Sequence, residues 1–290
     1  MAFRVALIGG EGSMGRLFAR LFKDEGYAVT ISGPDERRGR RVARELKVRY
    51  AKDNVAAVKD ADVVVITVPI AVTAEVIREI APHVKAGALL MDLTSVKELP
   101  CELMAKHARA GVEVLGTHPV FSPRVGSISG QTIVLTPVRK GKWSGRLKAM
   151  FRRNGVSVVE STPKEHDEVM AVVQGMTHLA YISVGKTIKD LNFDVEKSRK
   201  FSSPIYQLML DMVGRIIGQD PELYAGIQLH NRSVTKVHKA YGNAVRKLSD
   251  AIEEGRGSDF VSMMSEAAIH FGDIKGAMER SDKAIGRMRK

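Results

Sequence analysis

The hydrophobic pattern changes period part-way along the chain. Up to Glu160, short apolar and β-branched runs recur at residues 4–9, 28–32, 63–68, 88–93, 112–115, 132–136 and 156–159. Helical patterns such as 14–25 and 71–80 lie between them. Runs this short, alternating with helices, predict buried strands of a parallel sheet joined by right-handed crossovers, with helices on both faces. After Glu160 the strand pattern stops. Thr162-Pro163-Lys164-Glu165 reads as a helix start, with threonine as cap, proline first in the helix and a carboxylate in the first turn. An apolar-periodic stretch then continues to about Leu191, and Asp220-Pro221-Glu222 opens another helix in the same way. The predicted class is α/β, a doubly wound parallel sheet over 1–161 followed by an all-α domain over 162–290, with the boundary near Ser161.

Composition narrows the function classes. The chain has 290 residues, 44% hydrophobic and 27% charged, which suits two globular domains. One cysteine, Cys101, excludes an internal disulfide framework and fits a reducing, cytoplasmic location. No stretch approaches the roughly 20 apolar residues of a membrane helix, so no membrane partner is expected. The N-terminal apolar run leads straight into glycines and reads as a first strand rather than a signal peptide. The formal net charge of +12 suits small anionic ligands. The basic residues are scattered, apart from Arg37, Arg38, Arg40 and Arg41 and the tail from Arg287 to Lys290. Few aromatics interleave with them, so nucleic acid is not an expected partner.

The first strand leads into Gly9-Gly10-Glu11-Gly12-Ser13-Met14-Gly15, which then opens a helix. Gly10, Gly12 and Gly15 supply the G-x-G-x-x-G spacing of a Rossmann-type dinucleotide loop. The first glycine makes the turn, the second admits the pyrophosphate and the third lets the helix pack on the strand. The pyrophosphate sits on free N–H groups at the helix start. Glu11, Ser13 and Met14 belong to the same cofactor loop, and Val68 and Pro69 at the end of the third predicted strand complete the set. At the end of the second strand an NAD enzyme usually carries an acid for the ribose hydroxyls. Here Ser32 stands in that place, with Arg37 and Arg38 within reach of a 2′-phosphate. NADP is therefore the expected cofactor and NAD the alternative, argued for by Asp35. No metal site is expected.

Ligands of open parallel sheets bind outside the C-terminal strand ends. That places Ser95 and Lys97, after Asp92-Leu93-Thr94, and His118, in Gly116-Thr117-His118-Pro119, among the candidates. A histidine there is placed to take a proton while a nicotinamide takes a hydride, which points to a dehydrogenase. Ser95 orients that histidine, binds a substrate hydroxyl or caps the helix that follows.

The segments GGEGSMGR, DLTSVK, GTHPVFSP, EHDEVMAVVQGMTHL and SSPIYQLMLDMVGRIIGQDPELYAGI together resemble the prephenate dehydrogenases of tyrosine biosynthesis over nearly the whole chain. The likeness is strongest to the dehydrogenase part of the bifunctional enzymes, without a visible chorismate mutase segment. It implies oxidative decarboxylation of prephenate to 4-hydroxyphenylpyruvate. It assigns His118 to the C4 hydroxyl, which requires a neutral imidazole, with Ser95 in support. Arg215 is assigned to a substrate carboxylate, for which a guanidinium offers a bidentate fork; the alternative is a surface salt bridge, which the apolar run around it disfavours. His178 and Gln174 are assigned to the substrate pocket and share a helical face with Asp167. His166 is turned off that face and expected to cap or pack near the domain junction.

Three positions depart from the family pattern. Many relatives have glycine at Ser122, arginine at Gln207, a position counted with the substrate site, and some have histidine at Tyr181. These departures leave arogenate as the alternative substrate. Long apolar C-terminal helices imply a homodimer. Two further readings stand beside this one. A β-hydroxy-acid dehydrogenase would need a catalytic lysine on the first long helix, for which Lys186 is the candidate. A non-catalytic nucleotide sensor would be indifferent to His118→Asn.

Overall fold

The computed structural model describes residues 2–288; the basic tail from Arg287 lies outside the described side chains. The chain begins β1 (Arg4–Ile8), α1 (Ser13–Asp24), β2 (Ala28–Ser32), α2 (Glu36–Leu46), β3 (Arg49–Tyr50), α3 (Asn54–Val58) and β4 (Val63–Ile66). It continues with α4 (Ile70–Ile80), β5 (Leu89–Asp92), α5 (Glu98–His107), β6 (Glu113–Pro119), β7 (Thr132–Arg139), α6 (Lys142–Arg153) and β8 (Ser157–Glu160). The strands form one sheet in the order β3-β2-β1-β4-β5-β6-β7-β8. All pairs are parallel except β6 with β7. All seven predicted strands are present. The two-residue β3 is additional; it is too short to leave a pattern.

Side-chain alternation sorts the sheet into two faces. Val5, Leu7, Val63 and Val65 face Phe18 and Phe22 of α1, Val42 of α2 and Leu147 of α6. Ala6, Ile8, Val64 and Ile66 face Val58 of α3, Ile77 of α4 and Met104 of α5. Both faces are covered, which is why these strands read as continuous apolar runs.

β6 differs most from its prediction. It runs four residues past Leu115, because antiparallel pairing with β7 carries it on to Pro119 opposite Ile133. His118 therefore lies inside a paired strand, opposite Val134, and is held by its ladder.

The helical part comprises α7 (Pro163–Met170), a π-helical turn (Ala171–Met176), α8 (Thr177–Asp190), α9 (Val195–Lys200), α10 (Pro204–Ile217), α11 (Pro221–His230), α12 (Val234–Glu253), α13 (Gly257–Phe271) and α14 (Ile274–Met288). The chain forms two compact units. The first runs to Met170 and also takes Ala225–Arg232; the second comprises Ala171–Tyr224 and the residues from Ser233 on. The first unit extends past Ser161 to take in α7, because α7 packs on α5 and β7 of the sheet. Within the second unit α8 packs on α10, and α12 on the π-helical turn and α13.

Candidate active site

In the sheet unit, a buried polar chain starts at His118, which is 2% exposed. Its Nδ1 lies 2.9 Å from Nε2 of His166, and the rings meet edge to face. His166 Nδ1 lies 2.7 Å from Oδ1 of Asp167. Asp167 also accepts the backbone N–H groups of Lys97, at 2.7 Å, and Glu98, at 2.9 Å. Those two donors are free N–H groups at the start of α5, whose Lys97 cap offers no side-chain bond of its own. Helix starts favour an anion, so the α5 terminus fixes Asp167, Asp167 fixes His166, and His166 fixes His118. The Asn231 amide donates to the Asp167 carbonyl at 2.8 Å, pinning the same turn.

The electrostatics follow from this burial. Desolvation holds His118 well below the ordinary imidazole range, and the neighbouring His166 and Lys97 push the same way. Burial also lowers His166, although the Asp167 carboxylate opposes it. Both rings are neutral near pH 7 on these directions. Lys97 and Asp92 form a fully buried ion pair beneath them. Burial pushes the adjacent Cys101 thiol up to about 12, so it holds its proton and is no nucleophile.

The sequence assigned support of His118 to Ser95, but the structure gives that hydrogen bond to His166. Among the described residues the half-buried Ser95 hydroxyl makes no hydrogen bond, and it caps no helix. His166 was expected to cap or pack near the domain junction; among the described residues it caps no helix and instead bonds His118 and Asp167. Two things hid it. Its partner is forty-eight residues distant, and the π-helical turn disrupts the helical phase used to relate it to His178. The available signal was the His166-Asp167 pair inside the EHDEVM motif.

The cofactor loop has the expected form with one shift. The tight turn falls on Gly9, at φ +84°, one residue before Gly10. A Cβ on Gly15 would come 2.6 Å from the Gly9 carbonyl oxygen, so α1 can approach the loop only with glycine there. Gly12 is the N-cap of α1 and contributes no side-chain bond, which leaves the N–H groups of Ser13 and Met14 facing the approach to the helix start. Val68 touches Gly9, and Pro69 precedes α4 as its N-cap. This cradle fits a dinucleotide pyrophosphate. At the end of β2, Ser32 donates to Asn54 Oδ1 at 2.6 Å, while Asp35 caps α2 by accepting the Arg38 N–H at 2.9 Å. Arg37 and Arg38 are exposed, and neither guanidinium is in an ion pair among the described residues.

In the helical unit, His178 is half-buried, and its ring meets Tyr224 edge to face at 4.6 Å. Burial lowers His178, and its Nδ1 has no partner among the described residues. Gln219 donates to the Tyr224 hydroxyl at 2.9 Å and to the Arg215 carbonyl at 2.8 Å. Arg215 is exposed at the end of α10 and in no ion pair among the described residues, contrary to both the salt-bridge alternative and the unsolvated setting inferred from its apolar neighbours. Gln174 lies half-buried in the π-helical turn. Gln207 is exposed and donates to Ser202 at 2.9 Å. Tyr224 and Gln219 were missed, although both lie inside the GQDPELYAGI segment. Lys186 is an exposed residue paired with Asp190 one turn on, which removes it as a catalytic base.

Residues 18–160 match the family model described as prephenate dehydrogenase, nucleotide-binding domain, and residues 162–266 match that of the prephenate dehydrogenase dimerization domain. A protein of Methanocaldococcus jannaschii named "Probable arogenate/prephenate dehydrogenase" is 43% identical over 97% of this chain, and the chain spans 64% of that relative's length. The 4-amino-4-deoxyprephenate dehydrogenase of Streptomyces pristinaespiralis is 31% identical, with 96% of this chain and 94% of that protein covered. The fold matches the crystal structure of prephenate dehydrogenase from A. aeolicus in complex with hydroxyphenyl propionate and NAD+. There the TM-score is 0.76 at 20% identity, with 94% of this chain and 99% of that chain covered.

Proposed function

The chain belongs to the prephenate dehydrogenase family, and on that premise we propose that it oxidises and decarboxylates prephenate to 4-hydroxyphenylpyruvate. The observation that carries the reading is the buried His118–His166–Asp167 chain. When bound, the nicotinamide supplies the hydride acceptor. The residues of the chain handle the proton.

The hydrogen-bond order fixes the tautomers. Asp167 accepts, so His166 carries its proton on Nδ1 and presents a bare Nε2. His118 must then donate from Nδ1, which leaves Nε2 as its basic atom. The C4 hydroxyl proton passes to that Nε2 as the carbonyl forms, and the ring carboxylate leaves as carbon dioxide. The positive charge left on His118 can move: its Nδ1 proton shifts to His166, where the Asp167 carboxylate balances it. Ser95 is proposed to meet the substrate hydroxyl with its unengaged side chain. Arg215, with Gln174, His178 and Gln207, is proposed to bind the substrate's carboxylate and keto groups, and Gln219 and Tyr224 to position Arg215 and His178.

The finer assignments are these. Prephenate is the proposed substrate over arogenate. NADP is the proposed preference over NAD, supported by the two exposed arginines after β2. A homodimer is proposed through the helical unit, where Phe201, Met264, Ile269 and Phe271 are exposed. A reducing, cytoplasmic setting accords with the free Cys101 thiol. The test is steady-state kinetics with prephenate and arogenate, each with NAD and NADP. A gain of absorbance at the reduced-nicotinamide band with prephenate is expected; no gain with either substrate overturns the function, and a higher kcat/KM with arogenate overturns the substrate assignment.

A further inference from the structure

The second residue of the glycine loop has a use that pyrophosphate binding does not require. Glu11 is 7% exposed, and its Oε2 is buried without a hydrogen-bond partner among the described residues. Its side chain folds back over the end of β2. A Cβ at position 33 would collide with both carboxylate oxygens, so Gly33 is the floor on which Glu11 lies. This is where dinucleotide-binding sheets present an acid to the adenosine ribose. The other candidates for that duty are engaged. The Ser32 hydroxyl is spent on Asn54 and the Asp35 carboxylate on the start of α2.

With its Oε2 buried and without a partner among the described residues, this carboxylate carries a burial cost that its remaining contacts only partly offset. Desolvation accordingly raises the Glu11 carboxyl above its usual range, opposed by backbone N–H groups and the Arg38 charge. The charged or titratable groups facing it are Asp35 and Arg38 from α2 and Tyr50 from β3.

We propose that Glu11 is the residue that recognises the adenosine ribose and limits the preference for NADP over NAD. Its two oxygens can accept both hydroxyls of an unsubstituted ribose diol. A 2′-phosphate in the same place would meet a carboxylate, and the Arg37 and Arg38 guanidinium groups counter that repulsion. The two cofactors thus compete for one corner, in which the arginines favour the phosphate and Glu11 favours the diol. Position 11 lies in the loop, outside the strand-end position where the discriminating acid is normally sought, so the strand-end reading of Ser32 alone assigned it no such duty.

The inference rests on the nicotinamide-cofactor reading above, and binding separates the two. The dissociation constants of NAD and NADP are measured by calorimetry on the purified protein and on Glu11→Gln, without substrate, at mildly alkaline pH. In the variant NAD should bind more weakly and NADP more tightly. The ratio of the two constants should move toward NADP by about tenfold or more, the scale of one charge-assisted hydrogen bond. An unchanged ratio, or one moving toward NAD, with both cofactors bound, overturns the role of Glu11 and leaves the family reading standing. Failure of the unaltered protein to bind either cofactor overturns both. Melting without cofactor gives an independent reading. Glu11→Gln should melt at or above the unaltered protein, since it removes a buried negative charge whose Oε2 has no partner among the described residues; a lower melting temperature would mean that the acid serves the fold and would overturn the proposal.

Discussion

Burial makes the charged form of His118 unfavourable, which is what its proposed role as a neutral base requires. Its folded value lies well below 6.5, so the acid limb of kcat/KM should fall below the ordinary imidazole range; a limb at or above it in the pH–rate profile contradicts the assignment. His118→Asn should lower kcat by about 10²–10⁴-fold, the usual share of general acid–base catalysis, while cofactor binding measured by calorimetry stays intact. His166→Asn discriminates a relay from a prop. It removes both the acceptor for the His118 proton and one of the groups that lower His118, so the acid limb should move up in pH as well as kcat falling. Cys101 gives a check of the same burial by another chemistry. A thiol pushed up to about 12 should resist alkylation in the folded protein and react only on denaturation, read by mass spectrometry.

Among the elements, the most consequential junction is α5 with α7. Asp167 occupies the start of α5 and aligns the histidines at once. Asp167→Asn keeps the shape but weakens the anion at the helix start and offers His166 a neutral partner. A loss of about 1 kcal/mol of stability is expected from the cap alone, read as a lower urea midpoint, together with a fall in kcat. Unchanged stability and kcat would remove Asp167 from both duties. This junction also marks the limit of what the sequence reveals. Strands β1, β2, β4 and β5 are legible because two-faced burial demands β-branched and apolar runs, and α1 because the glycine spacing announces it. His118 is legible as a residue in a motif. Its partner is not, since no local pattern encodes a contact between β6 and α7. The π-helical turn is equally hidden, because one extra residue in a turn leaves the apolar content of Ala171–Met176 unchanged. The exposed setting of Arg215 was missed because an apolar stretch describes the average of a helix and not each of its faces.

For the whole molecule, the buried titratable groups set the pH dependence of folding, and their signs compete. His118, His166 and His178 all have lowered values in the folded state. Below about pH 6.5 the unfolded chain takes protons that the folded one refuses, so stability falls as pH drops, by up to about 1.4 kcal/mol per pH unit for each histidine. Glu11 acts oppositely. Its raised value means that the folded state keeps a proton above 4.5 that the unfolded chain releases, so its contribution grows as pH falls. Three groups outweigh one, and the urea midpoint should decline steadily from pH 6.5 downward. His166→Asn should flatten that decline, and Glu11→Gln should steepen it by removing the opposing group. A midpoint that does not change between about pH 6.5 and 5.5 would mean that the buried imidazoles stay hydrated in solution, and the neutral-base reading of His118 would fall with it.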